Sequence, residues 1–214
     1  MEHSILRVGG LRFHGDTVLM SLGVSFFLLV LAFFATRRMK LVPGRLQAFM
    51  EIIVEFMEKM VLENLGEKGL VYLPYFATLM FYIFVANMTG LIPGLKSPTA
   101  DLNITLGLAV SVVLAMQIAV IGQRGLFGWL AHFFKPNFLF VFLHLLELVT
   151  RPLTLALRLF GNIFAGEVLI TILYMLAPVF VPTLWLAFSV AIGAIQAYIF
   201  TILSLAYVGI SVED

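Results

Sequence analysis

Long runs of residues without a charged side chain constrain the fold of this chain more than any other feature. Residues 17–35, 70–95, 102–122 and 168–212 contain no Asp, Glu, Lys or Arg. A helix of about 20 apolar residues is long enough to cross a lipid bilayer. Only 12% of the 214 residues are charged and 62% are hydrophobic, whereas a soluble domain has about 25% charged residues. The sequence therefore predicts a membrane protein.

The predicted fold is an all-α membrane protein with about five transmembrane helices and one amphipathic surface helix. Pro178 and Pro182 interrupt the last apolar run, and proline ends helices because it lacks a backbone donor. The two helices on either side of this break are longer than a perpendicular span requires, so we expect both to be tilted. The predicted segments are an outer N-terminal tail at 1–16, transmembrane helices at 17–36, 70–95, 102–122, 138–177 and 183–210, and an amphipathic helix at 44–66.

The amphipathic segment carries apolar residues at helical spacing on one side and glutamates on the other. This pattern predicts a helix that lies on the membrane surface. Its polar side is acidic, which favours docking against a partner protein equally well. The aromatic connection at 123–137, which follows the third predicted span, is expected to be embedded at the membrane interface.

The distribution of lysine and arginine predicts the orientation of the chain. Residues 37–69 and 122–138 carry eight of them, whereas residues 1–16 and 93–101 carry three. Cytoplasmic loops are enriched in Lys and Arg. With five spans, the N-terminus is therefore expected outside and the C-terminus in the cytoplasm.

Several classes of function are disfavoured by composition. The chain has no cysteine, and its four histidines form no pair at metal-ligand spacing, so we expect no metal site. The net charge is +1, and the sequence has neither a Gly-rich phosphate loop nor a basic stripe with aromatics between its charges. We therefore expect no nucleic-acid binding, no cofactor and no catalytic site in this chain.

A polar stripe lies within the fourth predicted span. Steps of three and four residues place its members on one helix face. Glu147 and Arg151 are one turn apart and can pair. Arg158 is about 16 Å beyond Glu147 along the axis, and no acid lies within one turn of it. The members of the stripe are His144, Glu147, Arg151, Thr154, Arg158 and Asn162.

An arginine in the middle of a membrane costs about 2.5–3.5 kcal/mol on insertion scales, so Arg158 needs a partner carboxylate from elsewhere. A snorkelling side chain or an ion pair between helices is the structural alternative. Glu167 is on the opposite face of the same helix. A buried carboxylate without a fixed cation can exchange protons, and the structural alternative is that it tethers a neighbouring helix. Ser189 and Gln196 share a face of the fifth span, and Gln196 alone would also suit helix–helix packing.

The run from Arg151 to Glu167, RPLTLALRLFGNIFAGE, closely resembles the signature of subunit a of the F-type ATP synthase, bacterial type. Further matches are Pro43-Gly44 with Leu46-Gln47, Asn87 with Gly90-Leu-Ile-Pro93, Pro98-Thr-Ala-Asp101-Leu-Asn103, and Gln196 with the four residues after it. The resemblance covers nearly the whole chain except residues 1–16.

The resemblance implies a stationary proton-channel subunit with two offset half-channels, whose long tilted helices face a rotating ring of c subunits. Arg158 would be the arginine that meets the ring carboxylates. Glu167, Asn162 and Gln196 would lie around the outer half-channel or the arginine. Asn87, Asp101 and Asn103 would lie nearer the outer mouth, and His144 and Glu147 along the inner half-channel. Some relatives have a histidine where this chain has Ser189, so water is expected to complete the relay here.

The partners implied by the resemblance are the c-subunit ring, the peripheral-stalk b subunits, the catalytic sector of the complex and membrane lipid. The location it implies is the bacterial plasma membrane. Two other functions remain open from the residues alone. A secondary ion transporter would have its own substrate site, and such proteins often show inverted repeats and discontinuous helices. This sequence has one helix break, at Pro178 to Pro182, and no matching break in its other half. A structural anchor of the stalk would explain the acidic amphipathic helix but not Arg158.

Overall fold

The computed structural model describes residues 5–8, 11–37, 43–92, 94–133, 140–176 and 180–213. Nearly all of this part is helical, so the prediction of an all-α membrane protein is confirmed. The six α-helices are α1 Gly15–Thr36, α2 Arg45–Leu65, α3 Leu73–Thr89, α4 Leu102–Phe133, α5 Phe140–Leu176 and α6 Phe180–Glu213. Two short 3₁₀ helices, Glu67–Tyr72 and Pro98–Ala100, precede α3 and α4.

Five helices in the described part of the chain are long and apolar enough to cross a membrane. They are Gly15–Thr36, Glu67–Thr89, Leu102–Gly122, Val141–Leu176 and Phe180–Ser211. At 1.5 Å per residue, the 36 residues of the fourth extend about 54 Å, against about 30 Å of hydrocarbon. The last two spans are therefore much longer than a perpendicular crossing requires, in keeping with the predicted tilt.

The predicted N-terminal tail at 1–16 contains two short β-strands. Strand β1, Ile5–Val8, pairs antiparallel with strand β2, Leu11–His14, so that Ile5 is opposite His14. The sequence between the strands is Gly9-Gly10, a pair favoured in two-residue hairpin loops. Helix α1 then begins at Gly15, two residues before the predicted start.

The predicted second span at 70–95 is too long at its C-terminal end. Helix α3 ends at Thr89, and turns follow from Gly90. Gly90 has φ −67° and ψ −13° and caps the helix through its N–H to the Met88 carbonyl. The uncharged residues after it are apolar but not helical, because apolar composition alone does not sustain a helix past a turn signal.

The connection at 123–137 is helical as far as the structure describes it, while its place at the membrane interface stays a prediction. Helix α4 continues to Phe133 through a kink at Gly125, whose φ of 71° only glycine adopts readily. Residues 134–139 lie outside the described part of the chain, and so does Pro178. Pro182 does not precede the last helix as predicted but occupies its first turn, where a missing backbone donor costs nothing.

The core lies where α3, α4, α5 and α6 meet. Its largest fully buried side chains include Phe76, Ile83, Leu155, Leu159 and Phe200. Helix α1 is peripheral, with Val24 as its only buried side chain among those described.

Helix α2 packs one stripe, Met57, Met60 and Val61, into this core and leaves its glutamates exposed. This is the predicted amphipathic pattern. On the exposed side, the Lys59 ammonium bonds Glu55 at 2.8 Å and holds the pKa of that carboxyl below its usual value.

Candidate functional site

Arg158 is exposed on α5, close to the middle of the span Val141–Leu176. Within the described residues it makes no hydrogen bond or ion pair. Neighbouring positions on its helix face carry the small residues Thr154, Gly161 and Ala165, and a methyl group added at Gly161 would meet nothing within 4 Å. The guanidinium therefore stands on a face that another helix could approach closely.

Arg151, two turns earlier on the same stripe, is in contrast fully engaged. It pairs with Glu147, as predicted, and donates to Ser211 Oγ at 3.0 Å. Its guanidinium also lies 3.8 Å from Met116 Sδ and 5.5 Å from the centre of the Tyr207 ring. Arg151 thus joins α5 to both α4 and α6, which is a structural role.

The N-terminal end of the predicted stripe is only half-buried. Glu147 keeps about half of its side chain exposed (49%) while it bonds Arg151. His144 lies one turn before it with intermediate exposure and has an interaction partner. The two residues are thus accessible from outside the chain at this end of α5.

A cavity of about 190 Å³ lies between α3, α5 and α6. It brings together four of the residues singled out from sequence: Asn87, Asn162, Glu167 and Ser189. These residues come from three helices and are up to 102 positions apart in the chain, 189 minus 87. The structure thus brings four residues selected from sequence around one cavity.

A second cavity, of about 350 Å³, adjoins the first near the loop after α3. Glu167 lines both, as do Gly90 and Leu91. The second cavity also includes Lys96, which is exposed. Glu167 therefore stands between the first cavity and the loop that is predicted from sequence to lie outside the membrane.

A hydrogen-bonded group beside these cavities fixes Asn87, which is 3% exposed. Asn87 Nδ2 donates to the Gly193 carbonyl of α6 at 3.1 Å, and its Oδ1 accepts from Thr99 Oγ1 at 2.7 Å. Gly193 allows this approach because a methyl group there would lie 2.7 Å from Met88 Cε. Asn87 thus joins α3, α6 and the 3₁₀ turn before α4.

Three residues at this site were missed from sequence. Ser97 and Thr99 are buried in the group around Asn87, and the backbone N–H of Ser97 donates to Glu167 Oε1 at 3.3 Å. Trp185 lines the first cavity, and its buried Nε1 has no partner within the described residues. Hydroxyls in a loop and an indole in an apolar helix give no periodic signal, although Thr99 belongs to the Pro98–Asn103 match quoted above.

Asn162 and Gln196 are brought together by α5 and α6. Asn162 Nδ2 donates to Gln196 Oε1 at 2.7 Å, while Gln196 itself is 2% exposed. Its Nε2 is buried without a partner in the described part of the chain. A buried amide with an open donor is the kind of group that an ordered water satisfies.

Asp101 and Asn103 lie at the start of α4 and bond to each other. Asp101 Oδ1 accepts from the Asn103 backbone at 2.9 Å and from Asn103 Nδ2 at 3.1 Å, which caps the start of α4. Neither residue is among those lining the two cavities. Across the described ranges, no three His, Asp or Glu side chains are grouped to hold a metal ion.

Comparisons with known proteins agree on one family. The family described as ATP synthase A chain matches residues 18–209. ATP synthase subunit a of Desulforamulus reducens is 43% identical over 209 residues, which cover 93% of this chain and 80% of the relative. The protein of the same name from Moorella thermoacetica is 39% identical, with coverages of 90% and 88%. That of Geobacter sulfurreducens is 40% identical, with coverages of 87% and 83%.

Proposed function

Because the chain belongs to the ATP synthase A chain family, we propose that it is the stationary proton-channel subunit of its F-type ATP synthase, with two offset half-channels facing a ring of c subunits. The chain is a multi-pass membrane protein of the ATP synthase membrane sector. The proposed finer role is to couple proton flow to rotation of the ring.

The observation that carries this proposal is the exposed Arg158 in the middle of α5, which has no partner within the described residues. An isolated charge at this depth is costly, so we expect a partner charge from outside the chain. A ring carboxylate that approaches over Gly161 and Ala165 would supply it. Guanidinium suits this role because it stays charged at any relevant pH and cannot itself pass a proton on.

The outer half-channel is proposed to follow the two cavities. Protons would enter beside Lys96, pass Glu167, and reach the ring near Asn162 and Arg158. Glu167 lines both cavities, which supports its place on this path. Ser189 and Trp185 line the first cavity, which has room for water between them and Glu167. This supports a relay that is completed by water.

The inner half-channel is proposed to open beside His144 and Glu147. Protons released from the ring after a rotation would leave there. The partial exposure of both side chains supports this assignment. Arg158 lies between the two routes and would prevent direct leakage, because each arriving carboxylate must lose its proton to pair with it.

The remaining parts of the proposal concern partners and placement. The c ring, the peripheral-stalk b subunits and, through the complex, the catalytic sector are the proposed partners. The bacterial plasma membrane is the proposed location, with the N-terminus outside and the C-terminus in the cytoplasm. We propose that ATP chemistry resides in other subunits.

The deciding experiment is ATP-driven proton pumping in vesicles that carry Arg158→Ala. We expect assembly of the complex with loss of pumping, and a persistent or increased passive proton leak once the catalytic sector is stripped away. Leu157→Ala is the matched control, because Leu157 is the exposed neighbour on the same helix. Normal pumping by Arg158→Ala would contradict the channel assignment and favour the structural anchor.

A further inference from the structure

Ser97 holds a position that neither the family match nor the proposed proton path explains. It is 2% exposed and precedes the 3₁₀ turn Pro98–Ala100. Its backbone N–H donates to Glu167 Oε1 at 3.3 Å. In the described part of the chain, no other hydrogen bond to that carboxylate is seen.

The Ser97 hydroxyl fixes this amide in place. Ser97 Oγ lies 2.9 Å from the Ala86 carbonyl, to which it donates, and 2.7 Å from Thr99 Oγ1. Thr99 Oγ1 in turn contacts Asn87 Oδ1 at 2.7 Å. Ser97 is thereby anchored to α3 and, through Asn87 and Gly193, to α6.

Two hydroxyl hydrogens serve these three contacts between oxygens. When the Ser97 hydroxyl donates to the Ala86 carbonyl, the Thr99 hydroxyl can donate either to Ser97 Oγ or to Asn87 Oδ1. When the Ser97 hydroxyl donates to Thr99 Oγ1 instead, the Ala86 carbonyl loses this donor, and the Thr99 hydroxyl donates to Asn87 Oδ1. In every arrangement, at least one of the two hydroxyls remains bonded to α3. The anchoring of Ser97 therefore does not depend on a single arrangement of hydrogens.

Gly90 completes the close packing. A methyl group there would lie 2.7 Å from Ser97 Cβ and 3.4 Å from Glu167 Oε1. Only glycine allows the loop, the end of α3 and the carboxylate to meet at this distance. The arrangement therefore places one backbone donor against one half-buried carboxylate.

We propose that Ser97 is a positioning residue whose backbone N–H holds the Glu167 carboxylate between the two cavities, with its own hydroxyl and that of Thr99 fixing the amide. This inference rests on the proposed function, because it assumes that protons pass Glu167. An oriented carboxylate presents its free oxygen to the cavities, so that it is already in position for each proton transfer.

The test uses two variants of one position. Ser97→Ala removes the hydroxyl and keeps the N–H, whereas Ser97→Pro removes both. Proline fits here because Ser97 has φ −67° and ψ 127°, which suit both proline itself and a residue before Pro98. In assembled complexes, we expect Ser97→Pro to pump about three- to tenfold more slowly than Ser97→Ala, as for one lost hydrogen bond.

A structural effect is separated from positioning by a combined variant. Glu167→Asp shortens the side chain by one methylene and withdraws it from the Ser97 amide. If Ser97 acts through Glu167, the Ser97→Pro, Glu167→Asp double variant pumps no more slowly than Glu167→Asp alone. Reductions that multiply would contradict positioning. Equal pumping by Ser97→Ala and Ser97→Pro would overturn it as well.

Glu167→Gln and Gly90→Ala complete the design. Normal pumping by Glu167→Gln would defeat the proposed path itself. Slow pumping by Glu167→Gln, together with equal pumping rates of Ser97→Ala and Ser97→Pro, would defeat only this inference. If Ser97→Pro does not assemble, Gly90→Ala decides. Its methyl group must displace Ser97 or the carboxylate, so slow pumping is expected and normal pumping overturns the proposal.

Discussion

At the scale of single residues, three arginine and glutamate side chains on α5 differ in their surroundings. Arg158 has no partner within the described residues, Arg151 has several, and Glu167 is half-buried between two cavities. Membrane-embedded charges are costly, so each must be either satisfied or used. Two predictions follow from these differences.

Glu167 and Glu147 are expected to contribute unequally to proton flow. Glu167→Gln removes the only carboxylate that lines both described cavities, and we expect pumping to fall by about tenfold or more, as when a proton-transfer group is lost. Glu147→Gln should slow pumping less, because Glu147 is half-exposed and water can substitute for it. Initial rates in vesicles with equal amounts of complex measure both. A larger loss from Glu147→Gln would require a different inner route.

Arg151 is expected to affect stability instead of transport. Arg151→Ala removes bonds to Glu147 and Ser211, and hydrogen bonds to charged groups contribute about 1.5–3 kcal/mol each. We expect a lower yield and a lower thermal-inactivation temperature. Pumping per assembled complex should stay within about twofold of the unsubstituted chain, far less than the tenfold change that corresponds to about 1.4 kcal/mol. Arg158→Ala should show the opposite pattern. Arg151→Ala with normal stability would refute this structural role.

At the scale of helices, close approach depends on glycine at two contacts of α6. Gly193 meets Asn87 and Met88 of α3, and Gly209 meets the C-terminal end of α2. At Gly209, a methyl group would lie 2.8 Å from the Asn64 carbonyl, which is backbone and cannot rotate away. The position of α2 against the core therefore depends on this residue.

Gly209→Ala is expected to destabilise the chain by about 1–3 kcal/mol through overpacking. Gly107→Ala is the matched control, because position 107 on α4 faces open space. That control should be neutral or stabilising by up to about 1 kcal/mol, since alanine favours helix over glycine. The temperature at which the detergent-solubilised chain aggregates compares the two. Similar shifts in both variants would show that the α2–α6 contact is not tight.

The helices themselves could be predicted from sequence more fully than their ends or contacts. Uncharged apolar runs predict α1, α3 and α4 because lipid requires internally bonded backbone. The end of α3 at Thr89 depends on a turn within apolar sequence, and the continuation of α4 depends on the kink at Gly125, so neither follows from hydropathy.

The cavity residues Asn87, Asn162, Glu167 and Ser189 were predictable because a polar side chain within an apolar helix is conspicuous. Ser97 and Thr99 were not, since they occupy a loop where serine and threonine are ordinary. Their importance comes from contacts with Glu167 and Asn87 that are distant in sequence. The cap at Asp101 is a local effect that could have been expected from its place before α4.

At the scale of the whole molecule, the orientation of the chain is a separate prediction. The chain contains no cysteine, so any introduced cysteine is a unique label. Lys96 and Glu63 are both exposed and are predicted to face opposite sides of the membrane. We expect a membrane-impermeant maleimide to label Lys96→Cys in intact cells and Glu63→Cys only after permeabilisation. The reverse pattern would invert the assigned topology and the names of both half-channels.

The contacts of Arg151 would have a mechanical consequence if a ring rotates against this chain, as proposed. Such a ring would exert an equal and opposite sideways load on α5, and a long helix bends under such a load unless it is supported by its neighbours. Arg151 fixes α5 to Met116 of α4 and to Tyr207 and Ser211 of α6, about two turns from Arg158. These contacts would support α5 against bending beside the point where torque would be delivered.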